Sequence, residues 1–356
     1  MINDPWPKIC IVILNWNGWK DTTECLESLY RISYPDYDVV VVDNNSQDDS
    51  LARIRAYARD EIVVKSPFFN CAHGHNKRLT ITEYTRAEIE GTQELSLAGK
   101  LSSKCINGVP DRRLVVIKNE RNFGFSEGSN IGIRYALKAA ADYVLLLNND
   151  TVVEEHFLAE LVRAAQLDRH IGAIGPALYW YKLPDRIQST GASINFWTGR
   201  SIEQNRCKTA ADLDVSSNGG LLPVDYIAGA CFLVKREVIE TVGELDHTYF
   251  LYGEEVDWCF RITRAGYTII CDLNAKIWHK RMGSSSKKRK FSQYYPARNR
   301  VVFERKYAQT SQFLSFLLFH LPLNITWLLE TGDVRDTLCY IKGFFDGLLM
   351  HMDSPS

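Results

Sequence analysis

The sequence predicts an α/β fold, with a mostly parallel sheet covered by helices on both faces. Three observations predict it: short apolar runs rich in β-branched residues, helical patterns alternating with them, and polar residues at the end of each run. Residues 8–14, KICIVIL, read as the first strand and stop at Asn15-Trp16-Asn17-Gly18. A helical pattern from Asp21 to Tyr30 follows, with Asp21 placed to cap it. Residues 38–42, DVVVV, form a second strand that ends on DNNSQDDS. Residues 113–118, RLVVIK, supply a third, NERNFGFSEGSN a loop, and Ile131 to Ala141 a helix. Residues 143–147, YVLLL, are the fourth strand and end abruptly on Asn148, Asn149 and Asp150. In such sheets ligands bind beyond the carboxyl ends of the strands, and here those ends carry Asn or Asp.

The interval of residues 65–112 is polar and long for a connection, so it reads as a surface insertion or lid. Its Cys71, His73 and His75 read as a polar loop, because no second ligand pair stands at zinc spacing. Further on, VDYIAGACFLVKREVIETVG reads as a strand entering a helix, with Gly229 and Ala230 leaving the backbone bare for a close approach. A helix is predicted between Gly253 and Gly266. On it Glu254 and Asp257 share a face, and Glu255 is turned by about 100° from Glu254. The short strand IICD leads to KIWHK, a basic run SSSKKRK and the segment YYPARNR.

Residues 313–329 approach the ~20 apolar residues of a bilayer span, but His320, Pro322 and Asn324 interrupt them. Residues 338–349 place Leu338, Ile341, Phe344 and Phe345 on one helical face. The pair reads as interfacial helices on a membrane, or equally as a cap on the core or a dimer contact. The basic run beside them would favour anionic lipid or a lipid pyrophosphate.

With 42 basic and 43 acidic side chains among 356 residues, the formal net charge is −1. No global field attracts nucleic acid, so charge logic must be local. Nine cysteines stand as singletons without a C-x-x-C pair, which favours a reducing compartment. The first residues lack a basic region and a small-residue cleavage site, so the expected location is cytoplasmic, peripheral at the inner face of the cell membrane.

A carboxylate at a strand tip, such as Asp150, can bind a hard divalent cation together with phosphate oxygens. Asp43 at another tip could accept hydrogen bonds from a ribose or a base. Asn122 and Asn130 in NFGFSEGSN offer bidentate amides beside glycines that permit close approach.

Taken in order, IVILNWNG, VVDNNSQDDS, NFGFSEGSNIGI, LLLNNDTVV, the segment from IAGACFLVK to RITRAGY, and YYPARNR resemble family 2 glycosyltransferases, most closely the rhamnosyltransferase-like branch. The resemblance covers about residues 8–308. It implies a GT-A catalytic domain over 1–308, Rossmann-like, with a mostly parallel mixed sheet and the insertion at about 65–112, followed by a helical extension over 309–356. It also implies inverting, single-displacement transfer from a nucleotide-diphospho-sugar, dTDP-rhamnose or a UDP-hexose, to a glycan or lipid-linked acceptor hydroxyl, assisted by Mg²⁺ or Mn²⁺. NND stands where the family carries its D-x-D metal motif. Asp150 matches its last carboxylate, Asn148 replaces the first, and Asn149 lies between them on the donor side. His279 falls where related members supply a metal ligand. Asp43, Asn44 and Asn122 match nucleotide-contacting positions, Asn17 lies in the loop that closes on the base, and Asn130 joins the same donor set. Glu255 matches the catalytic base. Its neighbours Glu254 and Asp257 would raise its pKa, or pair with Arg261 or Arg264 as ordinary helix charges. Arg298 is the expected clamp for the diphosphate. Two other readings share the nucleotide-binding sheet: a sugar-phosphate nucleotidyltransferase, and a nucleotide-sugar-binding protein that has lost catalysis.

Overall fold

The computed structural model describes residues 6–69, 79–91, 113–213, 215–281, 293–331 and 334–351. The chain opens with β1 (Ile9–Asn15), α1 (Trp19–Leu29), β2 (Tyr37–Asp43) and α2 (Ser50–Ala58). It continues through β3 (Thr80–Thr85), α3 (Arg86–Gly91), β4 (Arg113–Lys118), α4 (Gly124–Lys138), β5 (Tyr143–Asn148), β6 (Thr151–Val153) and α5 (Phe157–Leu167). Next come β7 (Ile171–Trp180), β8 (Leu183–Ser189), the hairpin β9 (Ala192–Asn195) and β10 (Arg200–Glu203), then β11 (Leu221–Pro223) and β12 (Cys231–Lys235). Last come α6 (Arg236–Val242), α7 (Glu254–Arg264), β13 (Thr268–His279), α8 (Tyr294–Tyr307), α9 (Thr310–Thr331) and α10 (Val334–Leu349).

The main sheet has the order β11-β13-β7-β12-β5-β1-β2-β4-β3, with β6 on β13 and β8 on β7. Its β5-β1-β2-β4-β3 half is parallel, and β12 enters antiparallel between β5 and β7. The mixed α/β sheet flanked by helices is as the sequence predicts. Register decides where the chemistry sits: Asn15 pairs with Asp43, and Leu14 with Asn148. Three polar strand tips therefore stand level at one edge.

Two hydrophobic layers hold the sheet. One buries Ile9, Ile11 and Ile13 with α1 and α5; the other buries Cys10 and Val12 with α4 and α7. Alternate residues of one strand thus feed both layers, which is why these strands are apolar throughout.

Several boundaries differ from expectation. Helix α1 begins at Trp19 with Gly18 in the N-cap position, so Asp21 lies in the first turn and instead accepts a hydrogen bond from Lys280 Nζ at 2.7 Å. Helix α4 begins at Gly124 and ends at Lys138, earlier at both ends than Ile131 to Ala141. Gly128 and Gly132 face β1, where an added Cβ would lie 2.7 Å from Leu14 Cδ1 and 2.3 Å from Val12 Cγ1. Close packing of helix on strand outweighs the low helix propensity of glycine. The interval 65–112 is more than a lid: TITEYT forms β3 and pairs parallel with β4, and α3 buries Ile89. Cys71, His73 and His75 lie outside the described residues. IICD and KIWH belong to a single twelve-residue strand, β13.

The apolar C-terminal run folds as α9, which continues through Pro322, and α10 packs on α8. Phe316, Leu328, Tyr340 and Phe344 bury with Ala297 and Val301 of α8. Gly343 and Gly347 permit this contact, since a Cβ would lie 2.2 Å from Tyr294 O and 2.6 Å from Arg298 O. Among the described residues no helix is long and apolar enough to cross a membrane.

Candidate active site

A cleft of about 490 Å³ opens at the carboxyl edge of the parallel strands. Asn148, Asn149 and Asp150 line it with Asn44, Asn122 and His279. Its walls also carry Trp16, Phe250, Leu251, Tyr252 and Arg281.

A chain of hydrogen bonds ties the strand tips together beneath this cleft. Asn149 Nδ2 donates to Thr22 Oγ1 at 3.0 Å, Thr22 Oγ1 donates to Asn15 Oδ1 at 2.8 Å, and Asn15 Nδ2 donates to Asp43 Oδ1 at 2.8 Å. Asp43 is buried, and it also accepts from Ser46 N at 3.0 Å and from Ser46 Oγ at 2.6 Å. It anchors the β1 and β2 tips and does not line the cleft. Asn17 acts in a similar way: its Oδ1 accepts from Gln47 N at 2.7 Å, with the residue itself at φ 53°. Asn44 is buried under the wall, donating to Asn122 Oδ1 and Gly124 O, both at 2.9 Å.

Asp150 Oδ1 lies 3.2 Å from His279 Nε2 because β6 pairs antiparallel with β13 and sets His279 opposite Thr151. The other ring nitrogen, Nδ1, lies 2.7 Å from Gln188 Oε1. With that oxygen accepting, Nδ1 carries the proton and Nε2 turns its lone pair on Asp150. A hard cation that takes one or two protein ligands and completes its shell with phosphate oxygens fits this pair. No cluster of three or more His, Cys, Asp or Glu ligands forms among the described residues, so any metal here would depend on its substrate for further oxygens. Next along the chain, Lys280 Nζ bonds Asp21 and Glu24 of α1, which fixes the end of β13.

A second cavity of about 180 Å³ is lined by Glu255, Arg300, Ser201, Tyr226 and Asn299. Tyr252 lines both cavities. Glu255 sits in the first turn of α7, and its Oε2 accepts from Gly253 N at 3.1 Å. Burial raises its pKa, opposed by that bond and by the Arg300 charge. Burial also lifts Glu254 well above the usual carboxylate range, and Glu254 Oε2 has no hydrogen-bond partner. The group that approaches Gly229 is Glu255, whose Cβ would stand 3.5 Å from a Cβ at that position. That is ordinary contact, so sterics do not demand glycine here.

Three expected site residues face elsewhere. Asp257 is fully buried and binds Arg261 Nε at 2.9 Å, Lys306 Nζ at 3.0 Å and Tyr307 OH at 2.8 Å. The helix-charge alternative holds for it. Asn130 is indeed bidentate, but toward the backbone of Leu245, donating to its O at 2.8 Å and accepting from its N at 3.0 Å. Arg298 donates to Thr248 O at 2.7 Å and stacks on Tyr295, and it lines neither cavity. Among the described residues, the Arg or Lys that lines the first cleft is Arg281, two residues beyond His279 and held over the Trp180 ring. Its place beside the KIWHK motif was the available signal. Gln188 carried none, since only tertiary contact brings it to His279.

Residues 104–303 match the family described as Glycosyltransferase like family 2, and residues 10–78 match Glycosyl transferase family 2. A hexosyltransferase of low-salt glycan biosynthesis from Haloferax volcanii is 26% identical over 185 residues, 51% of this chain and 57% of that protein. A dTDP-rhamnosyl transferase from Shigella flexneri is 24% identical over 196 residues, 52% of this chain and 61% of that protein. The chain thus spans less than two thirds of the length of either relative. Among solved structures, a mannosyltransferase from Pyrobaculum calidifontis in complex with GDP-Man and Mn²⁺ superposes with a TM-score of 0.53 at 12% identity, over 98% of this chain and 85% of that one. GalNAc-T7 with UDP, GalNAc and Mn²⁺ superposes with a TM-score of 0.57 at 16% identity, over 98% of this chain and 57% of that one. Those superpositions give the fold as GT-A. With its central 200 residues, 104–303, matched to the family, the chain belongs to the family 2 glycosyltransferases.

Proposed function

We propose that this chain is an inverting glycosyltransferase that moves a sugar from a nucleotide-diphospho-sugar, dTDP-rhamnose or a UDP-hexose, to a glycan or lipid-linked acceptor hydroxyl. One observation carries the reading: the cleft at the strand tips and the cavity holding Glu255 share Tyr252 as a common wall. A donor in the first would present its anomeric carbon toward an acceptor in the second.

Within this reading Asn44 and Asn122 shape the nucleotide end of the cleft, and Trp16 and Phe250 flank it. Asp150 and His279 would hold one Mg²⁺ or Mn²⁺, which when bound would neutralise charge on the diphosphate leaving group. Arg281 adds a fixed positive charge on the same side. Glu255 takes the proton from the acceptor hydroxyl as its oxygen attacks C1 from the face opposite the diphosphate, so one displacement inverts the configuration. Its pKa, raised by burial, makes it a stronger base than an exposed carboxylate. Replacement of an acidic metal ligand by Asn148 leaves the site one charge weaker and makes it more dependent on the donor's own oxygens.

The extension over 309–356 supplies a surface for the membrane that would carry a lipid-linked acceptor at the inner face of the cell. Leu314, Leu318 and Phe319 of α9 are 56%, 70% and 56% exposed. Trp197, at the tip of the β9–β10 hairpin, is 53% exposed, and its backbone O accepts a hydrogen bond from Ser315 Oγ at 2.8 Å, which ties the hairpin tip to α9.

The test is a panel of nucleotide sugars with Mn²⁺ or Mg²⁺ and extracted acceptor lipid. Release of nucleoside diphosphate from one donor is expected. Pyrophosphate release from a nucleoside triphosphate would instead make the chain a nucleotidyltransferase, and tight donor binding without turnover would make it a binding protein.

A further inference from the structure

The cavity beside Glu255 contains a cation that forms no ion pair among the described residues. Arg300 of α8 lines it, and its hydrogen bond among the described residues runs from Nη2 to Ser201 Oγ at 2.9 Å. Other basic residues of α8 are engaged differently. Lys306 binds Asp246 and Asp257, Arg305 Nη1 donates to Gly347 O and Met350 O, and Arg298 donates to Thr248 O. Arg300 has five N–H donors, and among the described residues no carboxylate approaches them to ion-pairing distance. The carboxyls that sense its charge are Glu255 at the cavity wall and Glu304 one turn along α8. Burial pushes both upward, neither Glu304 oxygen has a hydrogen-bond partner, and neither carboxyl reaches Arg300 within ion-pairing distance. Ser201 Oγ accepts that bond and so holds the guanidinium at the wall that Tyr226 also lines.

A planar fork with most of its donors unused, fixed in a cavity that also holds the base, suits an oxyanion gripped at two points. We propose that Arg300 anchors an anionic group of the acceptor, a phosphate ester or a carboxylate, and so places a neighbouring acceptor hydroxyl at Glu255. This rests on the reading of Glu255 as the transfer base. The acceptor is then an acidic glycan or a phosphate-linked sugar, and a neutral sugar binds poorly.

The experiment uses the full chain with its first cleft filled by saturating UDP or dTDP and Mn²⁺, so that added anions cannot enter there. Methyl glucoside, methyl glucuronide and glucose 6-phosphate are titrated by calorimetry. At least one anionic probe is expected to bind ten-fold or more tightly than the glucoside; the glucuronide leading assigns a carboxylate, the phosphate a phosphate ester. Arg300→Gln should erase that preference, and Arg300→Lys should retain part of it. If Arg300→Gln fails to fold, Ser201→Ala, which frees the guanidinium from its support, gives a second reading and should weaken the anionic probe alone. Equal binding of the three probes, no binding of any, or equal loss of the neutral probe in the variants overturns the proposal. Donor turnover is measured separately. Arg300-dependent anion binding without nucleoside diphosphate release would sink the transferase reading and leave the anion site standing, and normal release without anion preference would do the reverse.

Discussion

Asp150 Oδ1 and His279 Nε2 face each other at 3.2 Å, and Gln188 Oε1 stands 2.7 Å from the far side of the His279 ring. The carboxylate comes from the tip of β5 and the imidazole from the end of β13, and the β6–β13 pairing joins them.

If this pair holds the metal, Gln188 orients one of its ligands. Gln188→Leu should lower Mn²⁺ affinity by about 10- to 100-fold, the usual effect of losing such a partner. Asp150→Asn and chelation with EDTA should each abolish transfer. Titration of Mn²⁺ in the presence of nucleoside diphosphate reads the first effect, and an unchanged affinity would remove His279 from the metal site.

Glu255→Gln should abolish transfer while leaving nucleoside diphosphate affinity within about two-fold, because amide replaces carboxylate at nearly equal volume. In the native enzyme the raised pKa sets the acid limb of the pH–rate profile. A base is active when deprotonated, so the rate falls as pH drops through that pKa, at a higher pH than an ordinary Glu would give. Arg300→Gln removes an opposing positive charge and should move the limb upward again. Retained transfer in Glu255→Gln, or an acid limb that does not move in Arg300→Gln, would falsify the base assignment.

Glu304 is fully buried and its pKa is raised from 4.5 to about 7. The folded protein therefore holds a proton that the unfolded chain releases near 4.5, and stability falls as pH rises from about 4.5 to about 7, then levels. The full effect is on the order of 3 kcal/mol. Glu304→Gln should match the native protein near pH 4 and exceed it at pH 8, as read by chemical denaturation at both pH values. Equal pH dependence in the two proteins would place the titration elsewhere.

Leu318→Glu together with Phe319→Glu should reduce sedimentation with anionic lipid vesicles at least several-fold without lowering Tm, since both side chains are exposed. If vesicle binding is unchanged and the native chain proves dimeric, this face is a contact between copies instead.

The local features of this protein are readable in its sequence. Apolar runs such as YVLLL, the polar NND at its tip and the glycine that opens α7 follow from periodicity and backbone preference, which act over a few residues. Helix α7 accordingly spans Glu254–Arg264, between the two glycines that bracket it. Local preference misled at α4, where glycines suggested a loop, because Phe250 and β1 approach Gly124, Gly128 and Gly132 too closely for any Cβ. It also hid β3, a polar segment made into a strand by pairing with β4. Motif position named Arg298, Asn130, Asp43 and Asp257, but the polar atoms of each meet partners from other elements. The cleft receives Arg281 and Tyr252, and the second cavity Arg300. Which chemical groups stand at the strand ends is thus a property of the sequence. Which of them face a substrate is decided by contacts between residues far apart in the chain, where sheet register and helix packing choose the inner and outer partner of every polar atom.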